Sequence, residues 1–238
     1  MKRNEFINGI KDGIPICLGY FSVSMAFGIA AVKGGIPSWA ATLTSLTNVT
    51  SAGQFAGINI MLAFGSLIEL AITTLIINMR YFLMSLSVSQ KVDPSVKLWH
   101  RFLISFGITD EIFAVSMRHT RPLTTSYMLG LILTPVLGWT TGTLTGAVFT
   151  SVMPQSLSSA MGIALYGMFI AIIIPPAREN FKVLIAILTA ITASLIFTYA
   201  PVICNLSSGW AIIIITVAVS AFCATFFPVE TGKGGENV

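Results

Sequence analysis

The chain has 238 residues, of which 55% are hydrophobic and only 9% charged, with a mean hydropathy of +0.86. Soluble domains carry about 25% charged residues, so this composition excludes a soluble globular protein and points to an all-α, polytopic membrane bundle. The formal net charge of +4 comes from lysines and arginines scattered between apolar segments, where positive-inside loops place them, and calls for no nucleic-acid partner. One transmembrane domain over 1–238 is expected, with a short polar N-terminus (1–13) and a polar C-terminal tail (229–238).

The first span is expected over Ile14–Val32. No small-residue cleavage site follows it, so it should stay as a helix. Pro15 is read near its start, where a missing N–H costs little. Gly19 and Gly28 allow neighbouring backbones to approach. Pro37–Phe64 is apolar on average but is cut by Thr47-Asn48-Val49-Thr50-Ser51-Ala52-Gly53-Gln54. Each flank is roughly 12 residues, about 18 Å as helix, too short to cross a bilayer alone. A long kinked helix or a re-entrant pair of half-helices would satisfy this pattern.

Leu67–Ser89 reads as a full span, since crossing takes about 20 residues. Leu98–Met117 is apolar but contains Thr109-Asp110-Glu111. Tyr127–Val152 carries Gly138, Gly142 and Gly146 on one helix face, a ladder best read as helix packing rather than a pore lining. Leu157–Ile174 is expected to close at Pro175-Pro176. Phe181–Tyr199 and Trp210–Phe227 are plain apolar spans suited to lipid or a partner helix. Cys17, Cys204 and Cys223 show no ligand spacing and read as packing residues. A faint internal repeat relates Pro15, Gly19 and Gly28 to Pro135, Gly138 and Gly146.

Basic clusters at Lys2/Arg3/Lys11, Lys91/Lys97/Arg101, Arg118/Arg121 and Arg178/Lys182 set the orientation, all four on the cytoplasmic side. With Ile14–Val32 and Leu67–Ser89 each crossing once, Pro37–Phe64 should make no net crossing or cross twice. Leu98–Met117 should start and end on the cytoplasmic side. Both interrupted segments therefore read as re-entrant or broken helices.

Arg80 lies about halfway along Leu67–Ser89. A charge at that depth costs roughly 3 kcal/mol on insertion scales, so it must be paired, line a wet cavity, or both. Glu69 shares its face but lies about 16 Å away along the axis and reads as interfacial. The acids at comparable depth are Asp110 and Glu111. Adjacent helical residues point about 100° apart, so one can pair with Arg80 while the other takes a proton. The run containing Ser51, Gly53 and Gln54, with Asn78 near Arg80, offers hydroxyls, amides and exposed backbone. Interrupted helices in transporters present such groups to the charged ends of a substrate. No catalytic or metal-binding signature occurs: there is no G-x-S-x-G, no H-E-x-x-H and no histidine cluster. No cofactor is implied, and no enzyme activity is expected.

These motifs resemble the AzlC family of branched-chain amino-acid exporters. The matching pieces are Gly13-Ile14-Pro15, the Ser51–Ala56 run, Asn78-Met79-Arg80-Tyr81-Phe82-Leu83-Met84, and Thr109-Asp110-Glu111-Ile112-Phe113-Ala114. The family usually has histidine where Tyr81 stands, and Gly-Ser-Ala-Gln where this chain has Ser51-Ala52-Gly53-Gln54. The resemblance implies export of hydrophobic amino acids across the bacterial cytoplasmic (inner) membrane, and a small, separately encoded AzlD-type membrane subunit. From the residues comes the expectation that Ser51, Gly53, Gln54, Asn78 and Arg80 bind substrate and that Asp110 and Glu111 form the ion pair or carry the coupling proton. The alternatives are a channel or passive pore for a small solute, and a non-transporting scaffold.

Overall fold

The computed structural model describes residues 2–152, 154–199 and 207–227. They form ten helices: α1 (Lys2–Lys33), α2 (Ser38–Thr47), α3 (Ala52–Leu62), α4 (Leu67–Lys91), α5 (Leu98–Phe106), α6 (Asp110–Arg118), α7 (Thr125–Phe149), α8 (Gln155–Glu179), α9 (Phe181–Tyr199) and α10 (Ser208–Phe226). Among the described residues, α1, α4, α7, α9 and α10 are long and apolar enough to cross a membrane. The chain is a helical membrane bundle. The expected tail 229–238 and Cys204 lie outside the described residues.

Side-chain caps set three of the helix starts. Ser66, Thr109 and Thr124 each accept a hydrogen bond from the backbone N–H three residues on, at 3.1, 3.4 and 3.3 Å, capping α4, α6 and α7. Two expectations are corrected. Helix α1 begins at Lys2, so Pro15 lies well inside it rather than near its start. Its polar first turns are held on α7: the Thr124 hydroxyl donates to Glu5, and the Tyr127 hydroxyl donates to Asp12 at 2.8 Å. Helix α8 runs through Pro175 and Pro176 to Glu179. Proline removes its own N–H but keeps helical φ, and the helix continues with Asn180 N–H donating to the Pro176 carbonyl at 3.0 Å.

The centre of the bundle is the α1–α7 pair. The two helices run parallel, and Cys17, Phe21 and Met25 of α1 meet Gly138, Gly142 and Gly146 of α7 at a constant offset. A Cβ on Gly142 would clash with the Phe21 backbone and the Ser24 hydroxyl, and one on Gly28 with the Thr143 carbonyl. The glycine ladder is thus a packing seam, and the two members of the faint repeat lie against each other.

The ends of the bundle follow from a few contacts. At one end, the start of α1 touches the start of α7, and Lys91 at the end of α4 donates to the Met117 carbonyl of α6 at 2.7 Å. Val92 and Leu123 form an isolated parallel bridge beside it. Arg101 of α5 reaches the Ser89 carbonyl at 3.5 Å. Both ends of the α5–α6 pair therefore lie at this basic end. At the other end, Gly34 lies against Leu62, so the α2–α3 pair also begins and finishes at one place. Ser38 donates to the Ala147 carbonyl near the end of α7 at 3.5 Å. The two helix pairs thus enter from opposite ends, and their turns, 48–51 and 107–109, point toward the middle.

Candidate functional site

The turns converge beside Tyr20 and Trp139, which lie well inside α1 and α7 with ring centroids 5.2 Å apart, edge to face. Tyr20 is buried. Its hydroxyl donates to Glu111 and shares a 2.7 Å hydrogen bond with the Thr109 hydroxyl, so α1 holds the N-terminus of α6. Asp110, the next residue round that helix, points to α4 and pairs with Arg80 at 3.0 Å. The adjacent acids are divided as their helical spacing requires: one takes a guanidinium, the other a phenol.

Arg80 reaches the other turn through Tyr81. Its guanidinium lies 5.1 Å from the Tyr81 ring centroid, and Nη2 donates to the Tyr81 hydroxyl at 3.4 Å. That hydroxyl donates to the Thr50 carbonyl at 3.3 Å. Ser51, the residue before α3, has φ +49° and caps nothing. A side chain at positive φ is strained, by roughly 1–3 kcal/mol. The hydroxyls of Thr50 and Ser51, Asn78 Oδ1 and Arg80 Nε are buried with no hydrogen-bond partner. Such groups are costly unless something meets them.

A cavity of about 440 Å³ opens among these groups. Ser51, Arg80, Tyr81, Asp110 and Glu111 supply its polar wall, while Val49, Ile76, Ile77, Trp139 and Ile173 supply its apolar wall. The Arg80 and Asp110 side chains are 41% and 30% exposed, so the ion pair is open to the cavity rather than sealed. Recognition pockets combine apolar walls with a few placed polar groups.

Of the residues singled out in the sequence, Ser51, Arg80, Asp110 and Glu111 come together at this cavity. The other three stand behind it. Gln54 is 2% exposed, with both ends of its amide occupied: Trp139 Nε1 donates to Oε1 at 2.8 Å, and Nε2 donates to Ser45 Oγ at 3.0 Å. Ser45 in turn shares a hydrogen bond with Thr143 at 2.7 Å. Gln54 therefore braces the indole on the cavity wall and, at 2% exposure, does not line the cavity itself. Gly53 lies against the Asn78 side chain, where a Cβ would crowd the amide, and neither lines the cavity. Glu69 is also placed differently from the interfacial reading. It is 4% exposed, accepts a hydrogen bond from the Ser207 hydroxyl, and packs against Gly209 of α10.

Tyr20, Tyr81 and Trp139 were not apparent as site residues. The available signal was that Tyr20 is the one phenol within an otherwise apolar 14–32, and that Trp139 interrupts a run of small residues beside the glycine ladder.

The fold and site together define a polytopic membrane protein with a charged central cavity closed by two short helix pairs. A family model described as AzlC protein matches residues 15–153, and the chain belongs to the AzlC family. It is 29% identical over 177 residues to the inner membrane protein YgaZ of Escherichia coli, covering 71% of this chain and 72% of that one. It is 30% identical over 176 residues to a membrane protein of Archaeoglobus fulgidus, covering 73% and 77%. A Helicobacter pylori membrane protein matches at 31% over 116 residues, covering 47% and 50%. No solved structure matches the chain.

Proposed function

We propose that this chain is the large subunit of a secondary transporter that exports branched-chain or similar hydrophobic amino acids, driven by protons, rather than an enzyme or a scaffold. The observation that carries this reading is the Arg80–Asp110 pair, open to a mid-bundle cavity where two helix turns meet. An intramembrane ion pair facing a cavity is by default a functional-site hypothesis. Arg80 holds a carboxylate, either the substrate's or that of Asp110. The acids face the ammonium group, and Glu111 or Asp110 carries the coupling proton. Val49, Ile76, Ile77, Trp139 and Ile173 receive the aliphatic side chain. Ser51 adds a hydroxyl with no partner of its own.

In this reading both helix pairs are re-entrant, and each opens the cavity toward its own end. Helix α9, which has no buried residue, would face lipid or a small AzlD-type subunit. The bacterial cytoplasmic membrane is the expected location.

The test is export from cells loaded with a leucine-containing dipeptide. Arg80→Leu, inserted at normal levels, is expected to export at background rate; normal export by that variant would sink the role given to Arg80. Asp110→Asn and Glu111→Gln should alter the pH dependence of export, and unchanged profiles for both would remove proton coupling. Flux in proteoliposomes should saturate and follow the gradient; linear, gradient-independent flux would favour a passive pore.

A further inference from the structure

Outside the central cavity, a groove of about 260 Å³ runs between α4 and α5 at the basic end of the bundle. Phe82, Leu86, Phe102, Ile104 and Ile108 line it, with Arg101 at its mouth. The groove faces outward: Phe82 is 70% exposed and Phe102 59%. Arg101 is held in place by neutral acceptors, with Nε donating to the Val96 carbonyl at 3.2 Å and Nη1 to the Ser89 carbonyl at 3.5 Å. No carboxylate pairs with it among the described residues.

The charges around the mouth are mostly of one sign. Among the described residues, Arg101 is the one charged side chain on the groove wall; Lys97, just before α5, His100 in its first turn and Lys91 at the end of α4 add positive charge nearby without lining the groove. The acids nearby are already engaged: Asp93 accepts from the Ser95 backbone N–H at 2.8 Å, and Glu5 accepts from Thr124. An outward-facing apolar groove with a guanidinium that no described carboxylate meets, at the basic end of the bundle, matches one kind of molecule. It must have a long hydrocarbon chain ending in an anion. Basic pockets between membrane helices select acidic headgroups in this way. A zwitterionic headgroup would bring its own cation beside Arg101, and no carboxylate among the described residues lines the groove to meet it, which disfavours it.

We infer that the α4–α5 groove is a binding site for an anionic phospholipid, with one acyl chain along Phe82 and Phe102 and the phosphate on Arg101. The site lies outside the cavity, so it stands independently of the transport reading. It also adds a link between α4 and α5, whose own side chains are mostly not buried.

The experiment is native mass spectrometry of the full chain, exchanged into vesicles of equal phosphatidylglycerol and phosphatidylcholine and then released into mild detergent. One phosphatidylglycerol per chain should persist, favoured at least tenfold over phosphatidylcholine. Arg101→Gln should erase that preference, and Arg101→Lys should keep most of it, which separates charge from folding. Ser105→Trp, which fills the groove and leaves the charge, should lose the retained lipid while eluting as the same species. Equal retention of the two lipids by the unaltered chain overturns the inference, as does unchanged phosphatidylglycerol on Arg101→Gln. Unchanged retention by Ser105→Trp removes the acyl-chain half of the site and overturns it as stated.

Discussion

The α2–α3 and α5–α6 pairs have the same plan: two short helices, a turn of three or four residues, and both ends returned to one end of the bundle. Their turns meet in the middle with different chemistry. The α5–α6 turn is well formed, with a threonine cap, and presents two acids at a helix start, where the dipole favours negative charge. The α2–α3 turn carries no charge. It places Ser51 at positive φ, leaves hydroxyls unpartnered, and relies on a buried amide network behind it. The first pair is specialised for charge and the second for exposed backbone and strain. One cavity thereby receives both without placing like charges on both sides.

The largest effects should come from the charged turn. Asp110→Leu leaves Arg80 without its partner, and export should fall at least tenfold. Removing one member of a sealed pair costs about 3–5 kcal/mol, but this pair is partly exposed, so the stability loss should be well below that range. The double variant Arg80→Leu/Asp110→Leu should regain stability in a detergent melt but not export. If the double variant exports, the pair serves folding alone. On the neutral side, Gln54→Leu should cost about 1–3 kcal/mol by stranding the Trp139 N–H, while Ser45 keeps its bond to Thr143, seen as a lower melting temperature with KM for leucine little changed. A large rise in KM without loss of stability would instead mean that Gln54 meets the substrate. Tyr20→Phe cuts the link from α1 to Thr109 and Glu111, and should slow export several-fold at normal abundance. The smallest effect belongs to Ser51→Gly. Glycine relieves the positive φ, so the melt should rise by about 1 kcal/mol, while any loss of export reports the hydroxyl itself.

Much of this arrangement was legible from residue patterns. Arg80 could be matched to an acid because a charge in an apolar span needs compensation, and the acids at similar depth were few. The glycine ladder announced a close helix seam because its four-residue repeat keeps one face small. Other features had no local signal. Gln54 looked like a ligand because a buried amide and a binding amide read alike; only its neighbours Trp139 and Ser45, remote in sequence or on a facing helix, decide between them. Pro15 looked like a helix start because polar residues precede it, yet those residues find partners on α7. Glu69 looked interfacial because it stands near a helix end, and its burial depends on Ser207 and Gly209, far along the chain.

The parallel α1–α7 seam has a consequence for how the protein is made. During synthesis α1 enters the bilayer long before its glycine-faced partner exists, so the central contact cannot form until Phe149 has left the ribosome. Arg80 likewise arrives 30 residues ahead of Asp110, about 2–6 s at ordinary elongation rates. For that interval α4 must hold its guanidinium in the membrane unaided. Chains arrested before residue 110 should therefore be the ones that quality-control proteases remove fastest, and arrest past residue 149 should restore protection. Equal half-lives for the two arrested chains would mean that the bundle is secured by some earlier contact.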